Sequence, residues 1–125
     1  MPARIAPQPT ISESGMRAFE AVAGLWNLSG AERQRILGLP RSTYARWRAK
    51  PESAAFDANT LERVSHILGI YKALHILFTD DTRADTWIDR PSRTFGDRPA
   101  RERLTTGLVA DLALVRHHLD VARGW

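Results

Sequence analysis

Apolar residues recur at spacings of three and four through almost the whole chain, a period that builds helices rather than strands. Met16, Phe19, Val22, Ala23 and Trp26 form one such stripe, and Leu108, Leu112, Val115, Leu119 and Ala122 form another near the C-terminus. A half-buried strand needs alternation, and none runs for more than a few residues. The expected fold is all-α, with about seven helices by this periodicity.

Punctuation residues divide the stripes. Ser29-Gly30-Ala31-Glu32 is a capping box, with the Ser29 hydroxyl accepting from the Glu32 amide and the Glu32 carboxylate reaching back. A short helix is expected to about Leu37, closed by Gly38 in a left-handed conformation. Leu39-Pro40 makes a turn, and Ser42 is the expected N-cap of a second helix that Pro51 stops after Lys50. A capped helix, a turn and a second helix in this order match a helix-turn-helix. Tyr44 and Trp47, three apart, are expected in the core. A long helix follows from Asn59 to Phe78, with Glu62 as a second capping-box signal. Its apolar positions cover more than one stripe, so it is buried on most sides or used for self-association. Asp80-Asp81 open a short helix carrying Trp87 and Ile88, residues 90–98 read as a loop, and Pro99 starts a helix to about Thr106. Gly107 closes that helix, and the last one runs to Gly124. The organisation is a flexible proline-bearing arm (residues 1–12), a helix-turn-helix region (13–54) and a helical C-terminal domain (55–125).

Charge singles out the second of these. The net +4 of the chain lies wholly in its first 54 residues, because the remainder balances ten cations against ten acids. Arg33, Arg35, Arg41, Arg46, Arg48 and Lys50 face Glu32 alone between residues 31 and 50. A cationic segment on a helix-turn-helix points to a polyanion, with a merely solvated face as the bland alternative. The candidate DNA-binding residues are Arg41, Ser42, Thr43, Arg46, Arg48 and Lys50, whose hydroxyl and guanidinium groups suit phosphates and guanine edges.

Catalytic chemistry has no foothold in the sequence. With no cysteine, disulfides, thiolate zinc sites and cysteine nucleophiles are excluded. His66, His75, His117 and His118 lack metal-ligand spacing, and neither a glycine-rich phosphate loop nor a nucleophile elbow is present. The expectation is a non-enzyme with no metal and no cofactor. No apolar run approaches the roughly 20 residues that span a bilayer, and the N-terminus lacks the apolar stretch of a secretory signal. A cytoplasmic protein without membrane contact is expected.

One further pattern occupies the C-terminal third: Trp87-Ile88, Arg90-Pro91, Phe95-Gly96-Asp97-Arg98-Pro99, Leu104, Gly107, Val115, Leu119 and a near-terminal Gly124. This series resembles the Xre/MbcA/ParS toxin-binding domain, over residues 55–125 with the helix-turn-helix in front. Ser92 departs from the family's tendency to asparagine after the proline. The resemblance implies a type II antitoxin: an N-terminal helix-turn-helix followed by a small helical toxin-binding domain. Its implied partner is a RES-domain toxin that consumes NAD by degrading it or by transferring ADP-ribose. It also implies a homodimer, a hetero-oligomer with toxin that occludes the NAD site, and repression of its own operon through operator DNA. Candidate toxin contacts are Arg93 and Arg98 in the loop, with Arg116, His117, Asp120, Arg123 and Trp125 on the last helix and tail. Trp125 is an aromatic anchor of the kind that dominates interfaces, and Asp120 or the terminal carboxylate stands in for a phosphate charge. Trp87 and Phe95 read equally as core aromatics. A plain helix-turn-helix regulator with a C-terminal dimerisation domain is the alternative, and co-purification with a toxin separates the two.

Overall fold

The computed structural model describes residues 8–124. Among them are seven α-helices: α1 (Ile11–Leu25), α2 (Gly30–Leu37), α3 (Arg41–Ala49), α4 (Ala58–Leu77), α5 (Asp81–Thr86), α6 (Ala100–Leu104) and α7 (Val109–Ala122). β pairing among these residues is confined to β1 (Pro91–Ser92) and β2 (Arg98–Pro99), antiparallel with Ser92 opposite Arg98. The all-α expectation holds, and the segment read as a loop is a short hairpin.

Helix α4 organises the molecule, packing against α1, α2, α5 and α7. Its buried residues Val64, Ile67, Ile70, Ala73 and Leu74 join Met16 and Phe19 of α1 and Leu112, Val115 and Leu119 of α7 in one core. That explains an apolar surface wider than one stripe, because the chain wraps its own helix. Leu61 and Ile76 stay exposed.

Helix ends follow local chemistry, with several corrections to the sequence reading. Residues 1–7 of the expected arm lie outside the described residues. Its last two residues are already helical: α1 starts at Ile11, capped by the Thr10 side chain accepting from the Glu13 amide. The Ser29–Glu32 capping box forms with both bonds, and Gly38 closes α2 at φ 66°. Ser42 is not an N-cap. Helix α3 starts two residues earlier than that cap implies, at Arg41, because Pro40 in extended conformation already turns the chain into it. Asn59 and Glu62 do not cap α4 either, since Asp57 accepts from the Thr60 amide and starts the helix at Ala58. On α7, Leu108 precedes the first turn and is exposed, and Ala122 is exposed at the other end. Its core stripe is therefore Leu112, Val115 and Leu119.

Helix α2 is tied at both ends to later parts of the chain. At its C-terminus the Arg63 guanidinium donates to the Ile36 carbonyl at 3.2 Å and to the Gly107 carbonyl at 2.9 Å. The first of these satisfies a carbonyl that the end of α2 leaves without an intrahelical donor, and the second ties that end to the α6–α7 loop. At its N-terminus Arg101 meets Glu32 at 3.0 Å.

Candidate functional site

The α2–turn–α3 unit is fixed from below by a network on α1. Glu20 accepts from the Tyr44 hydroxyl and from the Arg33 guanidinium, each at 2.5 Å, and Arg33 also donates to the Leu28 carbonyl. Burial, reinforced by the Glu20 carboxylate, pushes the Tyr44 phenol up to about 12. Tyr44 and Trp47 lie in the core, as their spacing predicts. With both rings inward, α3 presents its opposite side to solvent.

Of the sequence-predicted cations, Arg46 lies on that side, Arg41 and Arg48 flank Tyr44 on the groove edge, and Lys50 follows the last helical residue. Arg41, Ser42, Arg46, Arg48 and Lys50 are exposed, and Thr43 is half-buried. None of the four cations forms an ion pair among the described residues. Arg33 and Arg35 behave differently. Arg33 is held by Glu20, and Arg35 donates to the Thr105 carbonyl at 3.1 Å. The charge excess of the segment thus divides into Arg33, paired with Glu20, Arg35, exposed but tied to the Thr105 carbonyl, and four outward cations.

Beside these cations lies a groove of about 730 Å³ between α2 and α3. Gly30, Ala31, Ala45 and Ala49 line it, with Arg41 and Arg48 among its walls. Sequence reasoning missed this groove. Its signal was the pair of alanines four apart on α3, which leaves one face without bulk.

The proposed toxin contacts lie on two elements, the hairpin and α7, and differ in what holds them. Arg93 and Arg98 are exposed on the hairpin, and Arg98 pairs with Glu102 at 2.7 Å. That hydrogen-bonded pair holds the Arg98 guanidinium above its ordinary range and the Glu102 carboxyl below its own. On α7, Arg116 lies over Gly69 of α4, donates to the Ser65 carbonyl at 3.3 Å and approaches Asp120 at 3.7 Å. Arg123 has a largely buried side chain 3.9 Å from Asp120. His117 is exposed, and Trp125 lies outside the described residues. The Arg116–Asp120–Arg123 set is thus engaged within the fold, which leaves His117 as the outward member.

Two features of this half escaped the sequence reading. His118 stacks on Trp87 at 6.3 Å and meets Phe95 edge-on at 5.6 Å. The three rings fasten the Trp87 turn and the hairpin to α7, with Phe95 buried and Trp87 half-buried. The second feature is an exposed arc on α7 made by Leu114, His117 and Val121. Their spacings of three and four were visible, but the deeper stripe at Leu112, Val115 and Leu119 dominated the pattern. Among the described residues no group of three or more histidines and acids could hold a metal ion, and no helix is long and apolar enough to cross a membrane.

Comparison with known proteins agrees with this two-part layout. Residues 8–69 match the antitoxin Xre-like helix-turn-helix domain. Residues 73–124 match the antitoxin Xre/MbcA/ParS C-terminal toxin-binding domain. The chain is also similar to the uncharacterized protein y4oB of Sinorhizobium fredii, at 44% identity over 110 residues, covering 87% of this chain and 84% of the relative. Neither matched domain is described as an enzyme.

Proposed function

This chain belongs to the Xre/MbcA/ParS antitoxin family, and from that premise we propose that it is a type II antitoxin of a RES-domain, NAD-consuming toxin. It neutralises the toxin by covering the NAD site and represses its own operon through α3. The observation that carries this reading is the toxin-binding domain match over residues 73–124. The outward, unpaired cations of α3 support the DNA arm, since cations of this kind contact phosphates.

Within the toxin-binding half, the arc of Leu114, His117 and Val121 is the contact surface we favour on α7, joined by Arg93 of the hairpin and the tail that ends in Trp125. Exposed apolar side chains on a helix face lose water-contacting area on docking. Arg116, Asp120 and Arg123 then serve as the frame that holds α7 on α4. The homodimer belongs to the same proposal, because a two-fold pair suits palindromic operators. Its surface lies around Leu61 and Ile76 of α4.

Co-expression with a RES-domain toxin tests the reading. Expected are restored growth, retained cellular NAD and a complex that co-purifies. A chain that co-purifies with no toxin and still binds its promoter is a plain regulator. Deleting Gly124 and Trp125 is expected to weaken neutralisation; full neutralisation by the truncated chain moves the blocking element to the hairpin or to the α7 arc. Sedimentation at micromolar concentration reads the dimer directly, and a monomer mass removes it.

A further inference from the structure

Arg101 on α6 makes a junction that joins three segments distant in sequence. Its Nε donates to Asp89 Oδ1 at 2.6 Å and its Nη2 to Asp89 Oδ2 at 3.3 Å. Nη1 donates to Glu32 Oε1 at 3.0 Å, and Nη2 also donates to the Trp26 carbonyl at 2.5 Å. Trp26 ends α1 and Glu32 sits in the capping box of α2. Asp89 closes the 3₁₀ turn that begins at Trp87. One guanidinium therefore touches the helix-turn-helix at its first capped turn and the toxin-binding half at its aromatic turn.

The geometry gives these contacts unequal access to a partner. The Arg101 and Glu32 side chains are only 23% and 18% exposed, whereas Asp89 is 48% exposed. Asp89 is the end of the junction that another protein can reach. Glu32 Oε1 is shared: it accepts from Arg101 and from the Ser29 amide at 2.9 Å. The carboxylate that completes the α2 cap is thus held by the same cation that Asp89 orients in a fork. A planar guanidinium fixed by one bidentate carboxylate has little freedom left for its other donors.

We propose that Arg101 couples the two halves of the chain: a partner cation that draws Asp89 away from it loosens the N-terminus of α2 and shifts the pose of α3. The identity of that partner as the toxin rests on the antitoxin reading; the junction itself does not. Coupling of this kind is a shared free energy, and it acts in both directions. DNA held on α3 stiffens the Glu32 end and so alters the affinity of the Trp87 turn for its partner.

The test begins on the full chain alone, by amide hydrogen exchange. Asp89→Ala is expected to raise exchange at Ser29 and Arg33 by at least ~5-fold, the low end of measured couplings. In an Arg101→Met background the same Asp89 change is expected to add nothing. Asp89→Asn, which keeps the shape of the side chain, serves if Asp89→Ala misfolds. Unchanged exchange at α2 in the Asp89 variant, or an equal response with and without Arg101, overturns the coupling. With a RES-domain toxin and promoter DNA as probes, toxin is expected to change DNA affinity by at least ~5-fold for the natural chain and under ~2-fold for Arg101→Met. Equal changes in both overturn it. A natural chain that binds neither probe refutes the antitoxin reading, and the exchange cycle then decides the junction by itself.

Discussion

At the scale of residues, small changes separate buried constraint from tolerant surface. The Tyr44 phenol has its ordinary value of 10.0 raised to about 12, by burial first and by Glu20 second. The folded chain therefore keeps a proton that the unfolded chain releases. The stability this gives is complete below pH 10 and is lost as pH rises towards 12. Tyr44→Phe is expected to cost about 1.5–3 kcal/mol at neutral pH, the range for a hydrogen bond to a charged group. The gap to the natural chain should then narrow through that alkaline window, as urea midpoints measure. Two glycines give a contrasting pair. A Cβ on Gly15 meets Phe56 Cε2 at 2.7 Å, against a ring that packs on Trp47. Gly15→Ala should cost about 1–3 kcal/mol of overpacking. A Cβ on Gly69 meets Arg116 Nε at 2.5 Å, but a guanidinium can swing away. The helix also gains roughly 0.5–1 kcal/mol from alanine. Gly69→Ala is expected to stay within about 1 kcal/mol of the natural chain while releasing Arg116 from the Ser65 carbonyl, visible as a shift of the Arg116 Nε resonance.

At the scale of elements, the DNA contact proposed for α3 rests on order and charge. Arg46→Ala with Lys50→Ala is expected to weaken promoter binding by on the order of 1–3 kcal/mol where Arg46 reads a base, and to reduce the salt slope. Equal affinity and an equal slope in a gel-shift series refute that role. The order of helices was legible because caps and stripes are local: Ser29, Glu32, Gly38 and Pro51 act on their own neighbours. Start points were less legible. Ser42 and Asn59 are good caps in isolation, but Pro40 and Asp57 stand upstream and take the position first. Side-chain roles were least legible, because partners come from far along the chain. Nothing near Arg33 marks it as the mate of Glu20. Nothing near Arg116 shows that Gly69 leaves a notch for it. His118 joined Trp87 and Phe95 only once α7 lay across the hairpin.

At the scale of the whole molecule, one core serves both matched domains. Residues from α1 and from α7 meet on the same α4 and belong to one cluster. A single cooperative unfolding transition is expected, with calorimetric and van't Hoff enthalpies in agreement. A fragment ending at residue 69 removes the C-terminal turns of α4 and all of α7, exposes Val64 and Ile67, and should show no such transition. The boundary between the two matches, at residues 70–72, falls inside this helix rather than in a linker. Evolution therefore has no hinge at which to exchange one reading head for another. A chimera must splice helix to helix, and phase governs the graft. One inserted residue advances the rear half by about 1.5 Å and turns it by roughly 100°, carrying Ile70, Ala73 and Leu74 off the seam that α7 requires. Lineages that trade heads should conserve spacing across this joint more strictly than the residues that fill it.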